Sequence, residues 1–191
     1  AMTHSAFKEI DIPKELAGSL NDDLQITRAA SRAGKKIIFV RSLLAPTPVN
    51  YSWVSLYEFA RRQYFQVRVY VPKYWAWALF FTTNWIAGFC IHWWQVLVHQ
   101  NWNSLWLMLS IAALIMLRWH LRQDYIRKQF TLNERRLLRP ARALDFFTAT
   151  FSMAVHWTII LSSAFIREIT WAGIHYRVTG RQKVEVLSRD P

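Results

Sequence analysis

No charged side chain occurs between Trp75 and Leu117. A run of that length without Asp, Glu, Lys or Arg constrains the chain more than any other feature, because few soluble folds can bury it. Trp75 to Val98 spans 24 uncharged residues, enough at about 1.5 Å per residue to cross a hydrocarbon layer of roughly 30 Å. Trp75, Trp77, Trp93 and Trp94 lie near its two ends, where an interfacial aromatic belt would place them, although packing against a neighbouring helix explains them as well. His99-Gln100-Asn101 reads as a tight polar turn, and Asn101 to Leu117 as a second, shorter span. The expectation for residues 73–118 is a transmembrane helical hairpin.

The segments around this hairpin are basic. Arg118 to Arg142 is an amphipathic connector suited to lie along headgroups, with Pro140 expected to break it. Residues 119–144 are therefore assigned as an interfacial connector. Phe146 to Ile166 is a third apolar stretch, of 21 residues, so that 145–166 reads as a transmembrane or re-entrant helix before a basic cytosolic tail, 167–191. Three complete spans cannot leave all the basic segments on one side. Either the stretch after Asn101 or the one around His156 must enter the bilayer and return.

Composition supports lipid over nucleic acid. Hydrophobic residues make up 53% of the 191, with 11 Trp and 12 Phe, more than a domain of this size needs for its core. The net charge of +12 fits anionic headgroups or a phosphate-bearing substrate. No recognition helix, zinc-finger or RNA-binding pattern accompanies the basic residues, and the aromatic residues concentrate inside the apolar blocks, so no nucleic-acid partner is expected. Cys90 is the single cysteine, which excludes an intramolecular disulfide. His92 and His99 are seven residues apart and could share a helix face, yet two histidines without further ligands read first as packing or hydrogen-bonding groups. His156, within its apolar stretch, is expected to have a partner or line a cavity.

The first 72 residues are of another kind. Ala1 to Leu20 lacks the basic start and apolar run of a signal peptide. The chain enters what reads as the middle of a domain, and we expect it to be part of a longer protein. Asp22 to Gly34 reads as a helix that Asn21, Asp22 or Asp23 could cap and Gly34 stops. Ile37-Ile38-Phe39-Val40 then reads as a buried strand, a helix-then-strand unit of an α/β domain. Pro46 and Pro48 mark a loop, and Tyr51 to Tyr70 a helix carrying Arg61, Arg62 and Arg68.

A carboxylate at a helix start is first of all an N-cap. Two adjacent ones exceed what capping needs, and the downstream arginines are of the type that grips diphosphates. A base, a cationic clamp and a lipid-side platform are the parts of a membrane glycosyltransferase.

The residues themselves resemble a known family. Leu20-Asn21-Asp22-Asp23-Leu24-Gln25-Ile26-Thr27, followed by Arg28, Ala29, Gly34 and the Ile37–Val40 run, resembles the acidic base motif of family 2 glycosyltransferases, in the ceramide glucosyltransferase-like branch. Ala1-Met2-Thr3 resembles that family's small-residue segment ahead of the base motif. Arg61-Arg62-Gln63, ahead of Arg68-Val69-Tyr70 and Pro72, stands where the family has Gln/Arg-x-x-Arg-Trp, and Trp171-Ala172-Gly173-Ile174-His175-Tyr176-Arg177-Val178 resembles the family's tail. Gln63 replaces the motif tryptophan, with Tyr64 adjacent as a substitute; Phe59 stands where Gln or Arg would be, and Ala172 replaces the tail arginine.

The resemblance implies a partial GT-A type α/β catalytic domain over 1–72, followed by α-helical transmembrane segments. It implies Asp23 as general base with Asp22 beside it, and Arg62, with Arg61, Gln63 and Tyr64, at the diphosphate of a UDP-sugar. It also implies a divalent metal, Mn or Mg, held by residues outside this chain. A lipid hydroxyl such as that of ceramide would be the acceptor. The location would be a multi-pass place in a bacterial inner membrane with the catalytic part cytosolic, and these residues alone would be inactive. A processive polysaccharide synthase of the same superfamily and a non-enzymatic membrane subunit are the alternatives.

Overall fold

The computed structural model describes residues 2–40 and 50–189. The chain forms two compact units, one from Ala1–Ala78 with Ile159–Pro191, the other from Leu79–Thr158.

In the first unit, α1 (His4–Ile10), α2 (Ile12–Leu16) and α3 (Asp22–Arg32) occupy the N-terminal part. Thr3 caps α1 through its hydroxyl. Ile10, Ile12, Ala29 and Ala30 form a small core with Leu16 and Ile26 against it. Gly34, at φ 65°, ends α3 as expected of a glycine stop, and Lys35 N–H reaches back to the Ala30 carbonyl at 2.9 Å. Ile37 to Val40 does not form the strand read from its composition. These residues form no regular element, and all four side chains are exposed. An apolar β-branched run becomes a strand only where another strand meets its N–H and C=O groups; among the described residues none lies beside it, and the helix-then-strand unit is not formed. The loop expected at Pro46 and Pro48 lies outside the described residues.

α4 (Trp53–Tyr70) starts at Ser52, whose hydroxyl accepts from Ser55 N–H at 3.1 Å. Its inner face packs on a three-stranded antiparallel sheet of order β1-β2-β3, built from β1 (Glu168–Trp171), β2 (Ile174–Gly180) and β3 (Lys183–Arg189). Phe65, Ile169 and Val178 are the centre of this second core, flanked by Leu20, Val69, Ile166 and Val184. The tail motif thus lies in a hairpin: Trp171 pairs with Ile174 across a two-residue turn. Ala172 (φ 51°) and Gly173 (φ 72°) both take positive φ, the geometry whose twist matches that of antiparallel strands. The next turn docks on the N-terminal helices, where Gln182 Nε2 donates to the carbonyls of Lys14 (2.8 Å) and Glu15 (3.0 Å). Gly18 allows the approach, because a Cβ there would come 2.6 Å from the Gln182 carbonyl oxygen.

The second unit is built on long helices. α5 (Pro72–His99) and α9 (Ala149–Ser163) each have one part in this unit and one in the first, while α6 (Trp102–Gln129), α7 (Leu132–Leu137) and α8 (Arg139–Phe147) belong wholly to it. α5 and α6 meet at Gln100, which takes φ 49°. The Asn101 side chain caps α6 by accepting from Asn103 N–H at 3.1 Å. His92 Nδ1 and Ser104 Oγ, 3.2 Å apart, hydrogen-bond between the two helices. α6, at 28 residues, is about 42 Å long. Residues Trp102–Lys128 of it form the one continuous described helix long and apolar enough to cross a membrane; α8 and α9 would supply a second span only as a pair bent by 89°. α5 is equally long, but its apolar character comes largely from Trp and Phe interrupted by Thr82, Thr83, Asn84, His92 and Gln95. The stretch from Phe146 to Ile166 is not one helix, since α8 ends at Phe147 and α9 runs from Ala149 to Ser163. Pro140 does not break the connector. It sits in the first turn of α8, where its missing N–H leaves no helix bond unmade.

Candidate functional site

The acidic pair occupies the first two positions of α3, and neither member is its cap. Asn21 is the N-cap, its Oδ1 accepting from Leu24 N–H at 2.7 Å. Asp22 Oδ1 accepts from Asp23 N–H at 3.0 Å, and both aspartates are exposed. Among the described residues Asp23 makes no side-chain hydrogen bond and no ion pair. A carboxylate that is relieved of capping can accept a proton from a substrate hydroxyl.

What fixes the pair in place comes from α4. Tyr70 is buried, and its hydroxyl accepts from the backbone N–H groups of Leu20 (2.8 Å) and Asn21 (3.1 Å) and lies 2.9 Å from Ser19 Oγ. One turn earlier, Gln66 Oε1 accepts from Asn21 Nδ2 at 2.9 Å. The three residues ahead of Asp22 are thereby tied to the C-terminal half of α4. Arg62 lies one further turn towards the start of the same helix, about 6 Å along its axis from Gln66. The start of α3, with Asp22 and Asp23, and Arg62 are therefore both held by α4.

Arg61 and Arg62 line a cavity of about 440 Å³ between α4 and β1, together with Tyr51, Glu58, Phe59, Glu168 and Thr170. The Arg62 guanidinium stands 5.5 Å from the Phe59 ring centroid and 5.8 Å from that of Trp171, and donates to the Thr170 carbonyl at 3.5 Å. Arg61 Nε is buried without a hydrogen-bond partner. Gln63 and Tyr64 do not line this cavity, nor do Asp22 and Asp23. Successive helix residues turn by 100°, so four in a row cannot face one ligand. Gln63 is exposed; Tyr64 is half-buried, and burial pushes its hydroxyl pKa up.

Arg68 has a different use. Its guanidinium donates to the carbonyls of Ala164 and Ile166, joining α4 to the chain between α9 and β1. Burial, then the neighbouring Arg167, lowers its pKa. Two further bonds act in the same direction, Tyr57 to Ser162 at 3.1 Å and Trp75 Nε1 to Ser163 at 2.9 Å.

The sheet adds an ionic cluster next to the cavity. Glu168 Oε1 accepts from Arg177 Nε (2.9 Å) and Nη2 (2.8 Å), its Oε2 lies 3.5 Å from His175 Nε2, and His175 Nδ1 is 3.0 Å from Thr170 Oγ1. The Arg177 hydrogen bonds, foremost, hold the Glu168 carboxyl below its ordinary value.

Sequence reasoning reached Arg62 but missed what surrounds it. Trp171 was noted only within the tail motif, yet it meets Arg62 beside Phe59, from a strand more than a hundred positions downstream. Gln66 and Tyr70 have a local signal, an i, i+4 pair on one helix face. Among the described residues no group of three His, Cys, Asp or Glu could hold a metal ion. The resemblance puts the ligands of the implied divalent metal outside this chain, and no step below runs through one. Comparisons with protein families, curated proteins and solved structures find no match for this chain.

Proposed function

We propose that this chain is part of a membrane-bound inverting glycosyltransferase that moves a hexose from a UDP-sugar to a lipid hydroxyl. The observation that carries the reading is the uncapped Asp23 carboxylate, tethered through Asn21, Gln66 and Tyr70 to the helix that bears Arg62. In this reading Asp23 takes the proton of the acceptor hydroxyl as that oxygen attacks the anomeric carbon. The bond from that carbon to the diphosphate oxygen breaks in the same displacement. Arg62 stabilises the negative charge that develops on the departing UDP, and Asp22, hydrogen-bonded to the Asp23 amide, holds the first turn of α3.

The lipid side of the proposal rests on the second unit. Phe80, Phe81, Leu97, Trp102, Trp106, Leu114 and Leu117 are all exposed on α5 and α6, which is costly in water and favourable in hydrocarbon. Basic residues follow directly along the connector, among them Arg127, Lys128, Arg135 and Arg136, suited to anionic headgroups. We place the catalytic part on the cytosolic face of the membrane.

The test is transfer of labelled glucose from UDP-glucose, and from other UDP-sugars in parallel, into the lipid extract of membranes holding the full-length protein. Asp23→Asn is expected to lower transfer at least about 100-fold while UDP binding is retained. Normal turnover by that variant, or no lipid labelling by the wild type with any donor, overturns the assignment.

A further inference from the structure

The cavity between α4 and β1, the apolar groove of the α5–α6 hairpin and the Glu168–His175–Arg177 cluster are the places where this molecule gathers chemistry. The first carries an inference about how the clamp works. The motif position at which an aromatic would follow the arginines is Gln63, and that side chain is exposed and does not line the cavity. An aromatic nevertheless meets the arginine, and it comes from the sheet.

We propose that Trp171 is the positioning residue of the diphosphate clamp: with Phe59 and the Thr170 carbonyl it fixes the Arg62 guanidinium at the cavity, ready to take a nucleoside diphosphate. The Arg62 carbon Cζ is within 6 Å of both ring centroids, 5.5 Å for Phe59 and 5.8 Å for Trp171, inside the range where a ring face attracts a cation. The Thr170 carbonyl takes one N–H at 3.5 Å. Among the described residues Arg62 makes no other hydrogen bond and no ion pair, although Glu58 is one helical turn away on α4. Its remaining donors are thus not consumed within the protein. Aromatic faces orient the planar fork without neutralising it, and a carboxylate in their place would compete with the phosphate.

The hairpin explains why Trp171 can do this. It is the last residue of β1, paired with Ile174 across the turn at Ala172 and Gly173, and Ile169 two residues earlier is buried in the core against Phe65 of α4. The strand is anchored by Ile169 and delivers Trp171 to the same helix.

The inference rests on the reading that Arg62 binds the diphosphate, and the experiment separates the two. UDP binding is measured on the full-length protein by equilibrium dialysis for the wild type, Arg62→Ala, Trp171→Ala, Trp171→Phe, Trp171→Leu and the Arg62→Ala/Trp171→Ala double variant. Trp171→Ala and Trp171→Leu are expected to weaken binding about fivefold, Trp171→Phe less than twofold, and the double variant no more than Arg62→Ala alone. The leucine variant keeps the bulk of the side chain, so loss of binding there reports the ring face and not the packing. Equal losses with and without Arg62, or no loss in Trp171→Leu, overturn the positioning role. Unchanged UDP binding in Arg62→Ala overturns the underlying reading of the clamp, and the positioning role with it.

Discussion

The two units differ in how far they bury their apolar side chains. In the unit formed by Ala1–Ala78 and Ile159–Pro191, apolar residues far apart in sequence meet: Phe65 with Ile169 and Val178, Ile10 and Ile12 with Ala29 and Ala30. Polar bonds between distant residues reinforce them, with Tyr70 holding Leu20 and Asn21, Arg68 holding Ala164 and Ile166, and Gln182 holding Lys14 and Glu15. In Leu79–Thr158 the large side chains of α5 and α6 mostly point outwards, Leu114 and Trp106 among them at 64% and 68% exposure. Its polar bonds include Asn101 at the hairpin, His92 with Ser104 between α5 and α6, and Asp145 with Arg118 (3.3 Å) and Arg122 (3.0 Å). The first unit builds two small cores, although Trp53 and Phe165 are among the large side chains it leaves exposed. The second leaves its surface to whatever surrounds it, and we propose that this is the bilayer.

The largest effect that could break this contrast is a charge placed on the outer face of α6. Leu114→Asp should cost about 3 kcal/mol of membrane insertion if that face meets lipid. A membrane-integration assay reads it directly, and undiminished integration would place α6 in water or protein. In the first unit the corresponding weak point is a hydroxyl. Tyr70→Phe strands the N–H groups of Leu20 and Asn21 and should lower unfolding stability by about 2 kcal/mol, measured by denaturant unfolding in detergent. Transfer activity should fall with it, because Asp22 and Asp23 follow directly; a Tyr70→Phe protein of wild-type stability would refute the tether.

The smallest expected effect concerns pH. Since Glu168 is held below its ordinary value of 4.5 mainly by Arg177, its stabilising contribution is present above the ordinary carboxylate range. It is lost as the pH falls through the lowered folded-state value. The difference in Tm between wild type and Glu168→Gln should therefore shrink on acidification below about pH 4. A difference that does not change with pH would mean that the carboxylate gains nothing from Arg177.

Much of the helical layout was legible because its signals are local. The helix ending at Tyr70, Gly34 after α3 and the polar break at His99 to Asn101 are each read from a few neighbouring residues. Ile37 to Val40 misled for the opposite reason: strand composition is local, but strand formation depends on a partner elsewhere. Pro140 misled because the same residue breaks a helix interior and suits a first turn, and only the position of the helix start distinguishes them. The sheet at the C-terminal end was not anticipated, although the alternation in Ile174 to Val178 and the Ala172-Gly173 turn lie in plain view within the tail motif.

What the amino-acid order determined by itself is the partition of the chain into an uncharged, aromatic-rich block and basic, motif-bearing flanks. Charge and apolar length act through solvation alone, and solvation does not depend on which residues become neighbours. The tertiary structure decided that Asn21 and not an aspartate caps α3, that Tyr70 and Gln66 tie that cap to the helix of Arg62, and that Trp171 joins Phe59 at the Arg62 guanidinium. The tethers and the ring contact join residues about 45 to 110 positions apart, through interactions that act only over a few ångströms. Such contacts exist only once packing has brought α4 against the sheet and the start of α3.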